Sequence, residues 1–272
     1  MGVLNVTPDS FSDGGRYLEP EAAVAHACAM IEQGADLIDI GAESSRPGSE
    51  PVEEEEEIRR LIPVVEEVCR RTAVPVSIDT TKSQVARLAL DAGACIINDI
   101  SALRFDPRMG EVVAEAGAGL VLMHMQGRPK IMQQAPRYDN VVREVKQFFI
   151  ERLEAASAVG IDAEQILLDP GIGFGKNLSH NLTLLAEIGQ LLEIGRPLLV
   201  GVSRKAFIGQ VLGCSAEERM MGTAAAVAVA VLQGALVLRV HDVGPMRDVV
   251  KMVEAIKSHQ PSALSAQPRA EC

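Results

Sequence analysis

Eight times along its 272 residues the chain runs through a short apolar segment, closes it on a polar or turn-forming group, and follows it with a helix-like stretch. The clearest instance is Ile166-Leu167-Leu168-Asp169-Pro170-Gly171-Ile172-Gly173-Phe174-Gly175-Lys176, where an apolar run ends on an acid and breaks into Pro and glycines. Such a run reads as a buried strand delivering a carboxylate to a loop. Val76-Ser77-Ile78-Asp79 and Cys95-Ile96-Ile97-Asn98 have the same form. Strands are expected at 2–6, 37–40, 76–79, 95–98, 120–123, 166–169, 198–202 and 236–241. Helices are expected at about 21–33, from 53 onward, and at about 82–93, 107–116, 141–159, 182–192, 216–233 and 245–257.

Eight strand and helix pairs in about 250 residues have the size and rhythm of a closed (β/α)8 TIM barrel, whose site gathers at the carboxyl ends of the strands. The expected organisation is one barrel domain over 1–258, with a disordered Pro-, Ser- and Ala-rich tail over 259–272. An open doubly wound sheet is the alternative. It would usually carry a glycine-rich dinucleotide turn after the first strand, where Asn5 and Thr7-Pro8-Asp9 stand instead.

A formal charge of -11 argues against a nucleic-acid partner, which needs a basic face. The five cysteines are scattered and include no Cys-x-x-Cys pair, which implies a reducing, cytoplasmic setting. The five histidines lack paired ligand spacing, so a protein-held zinc site is not expected. No basic and apolar leader pattern opens the chain. The apolar stretch 221–238 is broken by Gln233-Gly234 and reads as a helix and a strand, not a membrane span. Because its helix is apolar nearly all round, it is expected at a subunit interface. The acidic run Glu53 to Glu57 reads as a solvated helix start.

Two constellations carry chemistry. Asp79, Asn98 and Asp169 face one another across the mouth as two acceptor-only groups and one mixed donor and acceptor. That set suits a flat heterocycle presenting several N-H donors, whereas helix capping would account for any one of them alone. Arg239 and His241, two apart on the last strand, share a face, and closure of the barrel brings Asn5 alongside and the loop bearing Arg46 nearby. Together they would hold a phosphate or diphosphate. The stretch Gly171 to Lys176 lacks the P-loop spacing and reads as glycine backbone approaching a flat ligand, with Phe174 available for stacking. Lys205 could reach a carbonyl oxygen or ring nitrogen. The loops 7–15 and 45–51 are expected to act as lids.

These motifs resemble those of the dihydropteroate synthase family. The resemblance runs through Asn5-Val6-Thr7-Pro8-Asp9-Ser10-Phe11-Ser12-Asp13-Gly14-Gly15, Glu43-Ser44-Ser45-Arg46-Pro47-Gly48, Ser77-Ile78-Asp79-Thr80, Asn98-Asp99-Ile100, Met123-His124-Met125-Gln126-Gly127, Leu168 to Lys176, Ser203-Arg204-Lys205 and Arg239-Val240-His241-Asp242. It implies condensation of 6-hydroxymethyl-7,8-dihydropterin diphosphate with p-aminobenzoate, with Mg2+ as cofactor and diphosphate leaving before the arylamine attacks. By resemblance Asp79, Asn98, Asp169, Lys205 and Arg239 bind the pterin, with Asp79, Lys205 and Arg239 catalytic. Asn5, Arg46, Arg239 and His241 hold the diphosphate, Asn5 also serving the metal, and Ser45, Pro47, Phe174, Lys176 and Ser203 shape the p-aminobenzoate site. A homodimer is the expected assembly. Ser45 and Ala42 depart from the commoner Thr and Gly of the family. A pterin-dependent methyltransferase domain and a non-catalytic pterin carrier are the alternative readings.

Overall fold

The computed structural model describes residues 1–6, 18–44 and 48–259, with side chains from residue 20 in the second segment. The expected lid residues 7–15 and 45–47 and the tail from 260 lie outside them. Eight parallel strands alternate with helices: β1 (Gly2–Asn5), α1 (Leu18–Glu32), β2 (Ile38–Gly41), α2 (Glu54–Arg71), β3 (Val76–Asp79), α3 (Ser83–Asp91), β4 (Ile96–Asp99), α4 (Met109–Ala116) and β5 (Gly119–Met123) open the chain. Then come α5 (Val141–Ala158), β6 (Ile166–Asp169), α6 (Leu178–Ala186), β7 (Leu199–Gly201), α7 (Ala206–Leu212), α8 (Met220–Leu232), β8 (Val237–Arg239) and α9 (Val243–Ser258).

β1 to β6 form a continuous ladder in sequence order, and β7 pairs with β8. Two single bridges, Leu168 with Leu198 and Gly2 with Val240, join these two sheets into a closed ring. At the second seam the Val3 amide donates to Val240 O (3.0 Å) and the Val240 amide to Met1 O (2.9 Å). The expected (β/α)8 barrel is therefore the observed fold, as a single domain. Closure leaves no free sheet edge among the described strands, and strands buried on both faces explain the apolar runs. Ile38, Ile40, Ile78 and Ile97 are fully buried in the main apolar core. Among the described residues no helix is long and apolar enough to cross a membrane.

Three elements differ from the sequence expectation. α6 begins at Leu178, because the Asn177 side chain accepts from the His180 amide (2.9 Å), and it gives way after Ala186 to a 3-10 stretch, Ile188–Ile194. α7, only seven residues long, is too short to show a period and is closed by Gly213 at φ 67°. β8 stops at Arg239, and the amide of His241 donates to Ser203 Oγ (3.2 Å). The acidic helix start is also not wholly solvated. Glu57 is fully buried, accepts from Thr80 Oγ1 (2.7 Å) and pairs with Lys82, which also pairs with Glu43 at the root of the β2–α2 loop.

The exit of β4 is a tight turn in which Ala102 and Leu103 both take left-handed φ values of 53° and 62°. Residues with a Cβ resist that region. The buried Asp99 carboxylate holds them there, Oδ1 accepting from the Ser101 amide and Oδ2 from the Leu103 amide, both at 2.7 Å. Asp99→Ala leaves both amides without that acceptor and is expected to lower the unfolding free energy by roughly 2–5 kcal/mol in urea titration.

Candidate active site

One cavity opens at the carboxyl end of the barrel, and eight of the residues singled out in the sequence line it: Asp79, Asn98, Asp169, Phe174, Ser203, Lys205, Arg239 and His241. Asp79 ends β3, Asn98 sits one residue before the end of β4, and Asp169 ends β6. Asp79 pairs in register with Asn98, which puts their side chains at one level of the barrel.

All three are poised as acceptors. The Asn98 amide nitrogen donates to Asp39 Oδ2 (3.2 Å), whereas its Oδ1 is buried with no partner among the described residues. The donor half of this mixed group is therefore used inside the protein, and the acceptor remains. A buried carbonyl without a partner calls for a ligand donor. Asp169 receives the Gly171 amide at Oδ1 (2.7 Å), and burial raises its pKa against the pull of that bond and of Lys205, Arg239 and Lys176. For Asp79, burial pushes the pKa up to about 7. Arg239 opposes the rise, and Asp39, Glu57 and Glu43 reinforce it.

The cationic side of the mouth comes from β7 and β8. Arg239 donates through Nε to Asp39 Oδ2 (2.6 Å) and through Nη2 to Asp79 Oδ2 (2.9 Å). The neighbouring acids raise its pKa further above the ordinary arginine value, although burial works the other way. His241 Nδ1 lies 3.0 Å from Ser203 Oγ. Burial, with Arg239 and Arg204 close by, depresses the His241 pKa to about 4, so the imidazole is neutral at pH 7. The Ser203 hydroxyl fixes the ring through Nδ1 and the backbone through the His241 amide. Between Ser203 and Lys205, Arg204 adopts φ 56° and forks onto Asp242 (2.9 and 2.6 Å), tying the exits of β7 and β8 together.

The β6–α6 loop forms the opposite wall. The Lys205 ammonium lies 4.1 Å from the centroid of the Phe174 ring, a cation–π contact. Gly171 is required at φ 64°, since a Cβ there would fall 2.0 Å from His124 O. Lys176 does not present its ammonium to the cavity. Nζ is buried behind the loop, against Gly171 O (3.0 Å), Phe174 O (3.0 Å) and His124 Nδ1 (2.8 Å). It shapes the wall through the backbone, and burial lowers its pKa to about 7. Asn5 ends β1 and shares the inward face of Val3, which lines the cavity two residues deeper. Ser45, Arg46 and Pro47 lie outside the described residues.

Sequence reasoning missed Asp39, the buried acid on β2 that Arg239, Ser77 and Asn98 all contact. Its signal was an acid inside an apolar strand, Leu37-Ile38-Asp39-Ile40, two residues below the strand end rather than at it. Lys82, which joins Glu43 to Glu57, was missed as well.

A barrel with three inward acceptors facing an arginine, a lysine and a neutral histidine is an enzyme scaffold for a flat, nitrogen-rich ligand with an anionic tail. Residues 1–241 match the family model described as pterin binding enzyme. A dihydropteroate synthase of Escherichia coli K12 is 50% identical over 258 residues, covering 95% of this chain and 91% of that protein. The Xanthomonas albilineans dihydropteroate synthase solved with 4-aminobenzoic acid superposes with a TM-score of 0.90 at 49% identity, over 95% of this chain and 92% of the other. The same enzyme in complex with 7,8-dihydropteroate gives 0.86 at 47% identity, over 95% and 93%. The chain belongs to the dihydropteroate synthase family of pterin-binding enzymes.

The raised pKa of Asp79 has a functional sign. Below about pH 7 the carboxyl is protonated and loses acceptor capacity, so affinity for a pterin is expected to fall as pH drops from 8 to 6. Calorimetric titration across that range checks this, and Asp79→Asn is expected to bind weakly with the slope removed.

Proposed function

We propose that the protein condenses 6-hydroxymethyl-7,8-dihydropterin diphosphate with p-aminobenzoate to give 7,8-dihydropteroate and diphosphate, a step of folate biosynthesis. The observation that carries this reading is the convergence of the unpartnered Asn98 Oδ1 and the Asp79 and Asp169 carboxylates on one cavity with Arg239, Lys205 and His241. The three acceptors match the N-H edge of a pterin ring, and the cations match a diphosphate.

The division of labour follows from charge. Arg239 and His241 hold the diphosphate, and Arg239 stabilises the negative charge that grows on it as it leaves, with Arg46 assigned to the same group. Asp79 stabilises the positive charge developing on the pterin. Asn98 and Asp169 orient the ring, and Lys205 reaches its carbonyl oxygen or ring nitrogen. The arylamine is neutral at pH 7 and attacks a cation without needing a strong base. Phe174, Ser203, Ser45 and Pro47 shape the p-aminobenzoate subsite, and Lys176 supports it from behind.

Mg2+ completes the reading. Asn5 offers a hard amide oxygen on the inward face of β1, and this ion is commonly held by one or two protein groups plus substrate phosphates and water. That fits a site in which, among the described residues, no cluster of three His, Cys, Asp or Glu could hold a metal alone. When bound, Mg2+ would supply further charge stabilisation to the departing diphosphate. The working form is a homodimer, supported by the apolar face that α8 and α9 expose through Met221, Val229, Leu232, Met252 and Ile256. The four described cysteines are free, which supports a reducing, cytoplasmic location.

The test mixes the purified protein with the pterin diphosphate and Mg2+, with and without p-aminobenzoate, following diphosphate release and dihydropteroate mass. Product formation is expected, and Arg239→Ala is expected to lower kcat/KM by roughly a hundredfold or more. Pterin binding with neither diphosphate nor dihydropteroate released would favour the carrier or methyltransferase readings instead.

A further inference from the structure

Asp39 lies one pleat below the mouth on β2, fully buried and outside the cavity lining. Nε and Nη2 of Arg239 both reach its Oδ2, each at 2.6 Å. Its other oxygen accepts from Ser77 Oγ on β3 (2.6 Å), and Asn98 Nδ2 on β4 adds a third donor at 3.2 Å. The acid is thus fixed by groups from three other strands before any ligand arrives.

This placement determines what Arg239 has left to offer. A guanidinium beside a lone carboxylate settles into a two-toothed fork that uses both carboxylate oxygens. Here Asp39 takes the Nε and Nη2 edge, so Asp79 receives only one bond, from Nη2 to Oδ2 at 2.9 Å. The bond engages Asp79 through Oδ2 alone, and both side chains line the cavity. We propose that Asp39 is a positioning residue that divides Arg239 between two acids, keeping one oxygen of Asp79 for the ring donors of the pterin and Nη1 of Arg239 for its anionic tail. The proposal rests on the pterin and diphosphate assignment above. Asp39 touches neither substrate. It prevents the substrate-binding acid and base from satisfying each other.

Asn98 is drawn into the same arrangement. Its amide could face either way, and Asp39 accepts only from the nitrogen end, which leaves Oδ1 toward the cavity. One buried carboxylate therefore sets the polarity of three ligand-facing groups.

The experiment compares wild type, Asp39→Asn and Ser77→Ala, each checked for fold by circular dichroism. Calorimetry measures affinity for the pterin diphosphate, steady-state kinetics varies each substrate, and a crystal structure locates Arg239. In Asp39→Asn, pterin affinity is expected to fall about tenfold or more while KM for p-aminobenzoate stays within about twofold, with Arg239 forked onto Asp79. Ser77→Ala, which removes only the hydroxyl that anchors Asp39, is expected to weaken the pterin by about threefold and carries the test if Asp39→Asn does not fold. Unchanged pterin affinity in a folded variant, an Arg239 that keeps its place, or an equal rise in both KM values would overturn the proposal. If wild type binds the pterin without making dihydropteroate, the synthase reading fails, and the calorimetric comparison still decides the role of Asp39.

Discussion

The arginine at the end of β8 holds two acids of the barrel mouth with one side chain. Arg239 crosses above β1 to reach Asp39 on β2 and Asp79 on β3, so one guanidinium spans the seam at which the barrel closes. The seam itself has little ladder to hold it, with a single bridge and backbone bonds through Val3 and Val240. A largely buried cation without partners would cost several kcal/mol, and two carboxylates remove that cost while holding the acids in a mutual geometry. Fold closure and site assembly therefore share one interaction.

Around that centre the loops of the mouth are locked by polar groups. Asp99 pins two left-handed residues after β4, Lys176 gathers the carbonyls of the β6 loop, and the Arg204–Asp242 pair ties the exits of β7 and β8. Asp99 and Lys176 act inside the protein and the Arg204–Asp242 pair acts at its surface, and none of the four lines the cavity. Preorganisation of this kind lets acceptors and donors stand ready for a ligand without collapsing on one another.

Much of the site was legible because strand ends carry a plain signal. Asp79 and Asp169 each follow an apolar run and precede a break, and the barrel rhythm converts that position into the mouth. Legibility failed where an acid lies inside a run. Asp39 interrupts an apolar strand at a place that sequence alone treats as a blemish, and its meaning depends on a partner 200 residues away. Glu57 was hidden differently, since an acidic run at a helix start looks solvated until one member turns inward onto Thr80 and Lys82. Lys176 was placed in the right loop, but the direction of its ammonium is a matter of packing.

The sequence by itself determined the strand and helix alternation, the closed barrel and the set of polar groups delivered to its carboxyl end, because the two-residue and 3.6-residue periods and the strand-end acids are local properties. Only the tertiary structure decided which of those groups face a ligand and which are consumed inside. Arg239, Asp39, Asp79 and Asn98 come from four strands, and with several acceptors competing for one guanidinium, the outcome depends on distances that exist only once the ring has closed.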